Sequence, residues 1–164
     1  MRKYLLNKSL KAATASDGYA GFDAVSNVLV VYDLQPNEAR PEIDELKKTL
    51  VALGKNVQLI GFKKERKPKE GAQASLYFSS DLTLIKKPGK KVLDTLPNSV
   101  DLLIDWTKEE TSPNDFIASS TLAPLKVGID RSLPCFAVVI QGYGHMPGKV
   151  IEEIIKYIKL INHA

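Results

Sequence analysis

Cysteine occurs once, at position 135, so no disulfide framework holds this chain together. Histidine is almost as scarce. His145 and His163 are the only two, and a Ser-His-Asp triad therefore depends on His145 paired with an unmarked serine. No apolar run approaches the ~20 residues of a membrane-spanning helix. The first residues, MRKYLLNKSLKAATA, are basic but carry only Tyr4-Leu5-Leu6 where a signal peptide has an apolar stretch of about 7 to 15 residues. These absences point to a soluble, cytoplasmic protein with no membrane partner. What remains is 164 residues, 44% apolar and 26% charged, enough for one globular domain without metals or disulfides.

The segment from Val100 to Asp130 reads as a strand, a helix and a second strand. Leu102-Leu103-Ile104 is apolar at consecutive positions, which predicts a strand buried on both faces, as in the middle of a parallel sheet. Asp105 is expected to end it. Ser112 and Pro113 form a helix-start signal, the helix is expected over about Pro113 to Leu122, and Pro124 stops it. Leu125 to Ile129 is the next strand, which makes the unit a βαβ crossover.

The same pattern occurs earlier. Val28 to Tyr32 is a continuous apolar strand ending at Asp33. Pro36 and Asn37 turn into a helix whose stripe is Ile43, Leu46, Leu50 and Leu53, Gly54 ends it, and Val57 to Phe62 is a second strand. Ala74 to Phe78 and Cys135 to Ile140 add two more. Cys135 lies in an apolar run and reads as a small buried hydrophobe rather than a nucleophile. A last helix starts at Pro147, with Val150, Ile151, Ile154, Ile155, Ile158 and Ile161 on a wide apolar face. The predicted fold is a three-layer α/β domain, Rossmann-like or flavodoxin-like, with a mainly parallel sheet of five or six strands. It spans residues 27–164, after an extension over residues 1–26 that holds a short basic helix at 2–12 and a loop.

Charge is unevenly spread. Between Lys63 and Lys91 stand nine basic and three acidic residues, a local +6 that leaves −2 for the rest of a chain of net charge +4. The stretch KKERKPKEG from Lys63 to Gly71 is too polar to pack and is expected as an exposed, mobile loop. Lys63, Lys64, Arg66 and Lys67 are its candidate anion-binding residues.

Three strands end in aspartate: Asp33, Asp105 and Asp130. In a parallel doubly wound sheet those ends share the edge at which such folds bind ligands. Carboxylates gathered there suit Mg²⁺, yet aspartate after a strand is equally a turn former or helix cap. Asp33-Leu34-Gln35 lacks the second aspartate of the DxD phosphatase pattern, and no G-x-S-x-G elbow exists. No catalytic residue, no metal and no cofactor is therefore expected.

The loop from Gln141 to Lys149 sets Gly142, Gly144 and Lys149 between a strand and a helix N-terminus, a context suited to an anion. Its spacing fits neither a Walker loop nor a dinucleotide fingerprint. Trp106 at the sheet edge either stacks a base or caps the core.

The runs VLVVYDL, FSSDLTLIKKPGK and DLLIDW leading to LKVGI, with the Lys-rich loop, resemble an uncharacterised family of small Bacteroidota α/β proteins over roughly Asn27 to Ile140. That resemblance implies the fold and no assigned activity. The strand-helix-strand halves are also similar to the amino-terminal domain of heptosyltransferase-type glycosyltransferases. Two functional classes are left: a non-enzymatic module meeting a polyanion or a protein through the basic loop, or a domain holding a small phosphate-bearing ligand at the glycine loop. A homodimer paired through a sheet edge is compatible with either.

Overall fold

A computed structural model describes residues 19–142 and 147–161. The helix expected at residues 2–12, and Gly144, His145 and His163, lie outside the described residues. Six strands form one sheet: β1 (Asn27–Leu34), β2 (Asn56–Lys63), β3 (Leu76–Phe78), β4 (Leu102–Trp106), β5 (Leu125–Ile129) and β6 (Val138–Ile140). All neighbours are parallel, in the order β3-β2-β1-β4-β5-β6. This is a doubly wound order, with its reversal between β1 and β4.

The order follows from connection handedness. A helix linking parallel neighbours crosses right-handed, and β1→β2 steps across the sheet in the opposite direction from β4→β5. The two linking helices, α1 (Pro41–Ala52) and α3 (Asn114–Ser120), must therefore cover opposite faces. Along β1, side chains alternate accordingly. Val28, Val30 and Tyr32 pack with Ile43, Leu46 and Leu50 of α1 and with Ile154 and Ile158 of α4 (Pro147–Leu160). Leu29 and Val31 pack on the other side with Ile117 and Ala118 of α3 and Val92 of the short helix α2 (Lys90–Leu93). Each fully buried aliphatic side chain in these layers contributes about 1.5–3 kcal/mol.

Several boundaries differ from the sequence expectation. β1 and β4 run past their aspartates to Leu34 and Trp106, where Asp33 and Asp105 are held inside the ladder by partners that offset part of the cost of burying them. β6 begins at Val138 rather than Cys135. Cys135 is only half-buried, in a turn closed by the Phe136 N–H donating to the Leu133 carbonyl. β3 begins at Leu76 rather than Ala74. Leu53 falls outside the buried stripe of α1, as the residue after its last turn. Tyr19, Phe22 and Val25 are core members, so the packed body extends to the amino-terminal side of residue 27. The connections at 64–75 and 130–137 carry no helix.

Candidate functional site

At the carboxyl edge of the sheet the acids are engaged. The Asp33 carboxylate accepts the Lys108 and Glu109 N–H groups at 2.8 and 3.0 Å, and Arg40 Nη1 lies 3.3 Å from its Oδ1. Arg40 is itself almost fully buried. It donates to the Trp106 carbonyl at 2.6 Å, lies over the Trp106 ring 5.5 Å from its centroid, and gives its Nε–H to Glu42 at 2.8 Å. Trp106 is accordingly a core side chain under a guanidinium, with no free face for a base.

Asp105 is fully buried, and desolvation holds its carboxyl above the usual carboxylate range, opposed by Arg131. Arg131 Nη2 donates to Asp105 Oδ2 at 3.0 Å and also to Asp115, while its Nη1 donates to the Glu109 carbonyl at 3.1 Å. Asn114, buried at the start of α3, donates to the Tyr32 carbonyl and Thr107 Oγ1 and accepts from the Tyr77 hydroxyl at 2.6 Å. Asp33, Arg131 and Asn114 together fix the segment between β4 and α3 against the strand ends. Asp130, with φ 60°, is exposed and accepts the Gly142 N–H. The three aspartates thus have separate tasks, and among the described residues no three metal-ligating side chains converge.

That fixed segment forms one lip of a cleft of about 510 Å³. Leu34, Phe62, Leu82, Ile85 and Pro113 give it apolar walls, and Ser79, Thr111 and Ser112 add hydroxyls. Lys64 and Lys86 both line it. Lys64 reaches the cleft because the loop after β2 is tied down. The Lys64 N–H donates to the Leu34 carbonyl, the Ser79 N–H to the Glu65 carbonyl, and the Lys67 N–H to Ser80 Oγ. The basic loop is exposed as its composition predicts, but its first residues are pinned rather than free. Among the described residues neither Lys64 nor Lys86 has an ion-pair partner, whereas Lys63 is paired with Glu65 at 2.8 Å. Arg66 and Lys67 are exposed.

A family model described as Family of unknown function (DUF6913) matches residues 1–161. The chain belongs to that family. The resemblance to an uncharacterised family is thereby borne out, and the DUF6913 match spans every element that builds the cleft. No curated protein and no solved structure matches the chain.

The remaining candidate residues lie apart from the cleft. Gly142 is buried, its N–H is taken by Asp130, and a Cβ there would meet Val150 Cγ1 at 2.7 Å, so it serves packing between β6 and α4. Lys149 is exposed in the first turn of α4 and does not line the cleft. The sequence reading did not single out Arg40 and Arg131. Arg131 had a signal, since it directly follows the aspartate after β5; Arg40 had only its place before Pro41.

Proposed function

We propose that the protein is a non-enzymatic binding module that takes an anionic partner at the carboxyl edge of its sheet. The observation that carries this is that Lys64 and Lys86 line one cleft, neither with an ion-pair partner among the described residues, where Asp33 and Asp105 are already paired with Arg40 and Arg131 and Glu109, held by the Gln35 amide, is the one lining carboxylate without a cation. Two lysines against one uncompensated lining carboxylate leave the cleft net positive, and Arg66 and Lys67 extend that charge along the loop. The buried polar network below is structural support that holds the lip still.

The test is a titration of an RNA oligonucleotide and of inorganic polyphosphate at low and moderate salt. Contacts made by exposed lysines weaken steeply as salt rises. Replacing Lys63, Lys64, Arg66 and Lys67 together with serine should weaken binding by at least about tenfold, with little change in stability because these side chains lie outside the core. Undiminished affinity in that variant would sink the reading.

A further inference from the structure

We propose that the anion is carried on an apolar body: the cleft is a pocket for a small amphipathic anion whose charged end lies between Lys64 and Lys86. This rests on the reading of the edge as an anion site and narrows it from any anion to one class of ligand.

Three observations converge. The volume of about 510 Å³ falls within the range of small-molecule sites, and its lining includes Leu34, Phe62, Leu82, Ile85 and Pro113, apolar surface that a purely polar anion leaves unsatisfied. Ile85 lines the cleft yet is 71% exposed, an aliphatic side chain that gains cover only when something apolar occupies the space beside it. The third is backbone strain. Among the described residues only Asn37, Lys86 and Asp130 are non-glycine residues at positive φ. Asn and Asp tolerate the left-handed region because their short polar side chains bond locally, whereas lysine has no such compensation. Lys86, at φ 61°, is held there by the turn around it. The Thr83 N–H donates to the Lys87 carbonyl at 2.8 Å, the Lys86 N–H donates to the Thr83 carbonyl at 2.9 Å, and Leu82 bridges Pro88. A strained residue at a cleft mouth, of a type the turn itself does not favour, points to a task for its ammonium group.

Leu84 supplies an internal control. It is fully exposed on the same turn but does not line the cleft. The probe is anilinonaphthalene sulfonate, an aromatic body with one anionic group, added to the full chain and followed by fluorescence, with an RNA oligonucleotide titrated in parallel. Lys86→Asn and Ile85→Ser should each weaken dye binding by about tenfold, the scale of one lost contact, and Leu84→Ser should leave it unchanged. Lys86→Asn should melt no lower than the parent, because asparagine suits the turn better, and this separates a lost contact from a damaged fold. Lys64→Ser repeats the test from the other lip. Dye binding indifferent to Lys86, Ile85 and Lys64, or lost only with Leu84→Ser, would mean surface adsorption and would overturn the proposal. Salt-sensitive oligonucleotide binding without dye binding would remove this inference and leave the broader anion site standing. If neither binds, both fall.

Discussion

Arg40 is the residue on which the carboxyl edge most depends, since it is the cation for a buried carboxylate and also the cover of the only tryptophan. A buried ion pair contributes little over an apolar replacement of both partners, but removing one partner leaves a charge in a site of low dielectric. Arg40→Met should therefore destabilise the protein by about 3–5 kcal/mol, and adding Asp33→Asn in the same chain should recover a good part of that loss. Urea unfolding of the two single variants and the double variant reads the coupling directly. A double variant that is simply the sum of its parts would show that Arg40 acts through Trp106 and Glu42 rather than through the Asp33 charge. The aspartates were legible in the sequence because a polar residue closing an apolar run is conspicuous. Their partners were not. Arg40 and Arg131 come from loops, and nothing local states which carboxylate a loop arginine will reach once the chain is folded. The same limit hid Lys86, which sequence places in a run of lysines and only the turn geometry turns into the cleft.

At the scale of elements, the consecutive apolar runs of β1 and β4 marked the centre of the sheet, since a strand covered by helices on both faces has no polar alternation to show, and the other four strands were found as shorter apolar stretches beside them. Their ends were less legible, as β6 shows. Cys135, Phe136 and Ala137 are as apolar as a strand, but Phe136 packs back over β5, and this is why the run turns before it pairs. Gly128 in β5 makes that packing possible. A Cβ there would meet Phe136 Cδ2 at 2.5 Å and the Arg131 carbonyl oxygen at 2.6 Å. The ring has some freedom to move, while the carbonyl belongs to the turn that delivers Arg131 to Asp105. Gly128→Ala should thus cost about 1–3 kcal/mol, the range for forcing extra volume into a packed site. Gly148, in the first turn of α4, meets nothing within 4 Å, and Gly148→Ala should be neutral or stabilising by up to about 1 kcal/mol. Thermal unfolding of the pair distinguishes a general intolerance of substitution from this specific close approach; equal effects would remove the argument.

For the molecule as a whole, the doubly wound order sets both the stability gradient and the location of the cleft. β1 and β4 lie at the reversal, flanked on both sides by strands and covered on both faces, and Leu29, Leu102, Leu103 and Ile104 have no exposed surface. The outer strands β3 and β6 pair over three residues each, too short to hold much by themselves and too short to offer a long edge to another chain. Local opening takes least free energy where few buried contacts are lost. Amide exchange should consequently be slowest in β1 and β4, intermediate in β2 and β5, and fastest in β3 and β6. The cleft spans this gradient: Asp33, Glu109 and Ser112 belong to the rigid reversal, while Ser79, Leu82, Ile85 and Lys86 follow the short strand β3. A ligand bridging the two lips would tie the weak side to the strong one. Bound ligand should therefore slow exchange most at residues 76–88 and scarcely change it in β1, which is already near the global limit. Uniform slowing along the chain would instead indicate a partner bound elsewhere that stabilises the fold as a unit, and exchange in β3 as slow as in β1 without ligand would contradict the gradient itself.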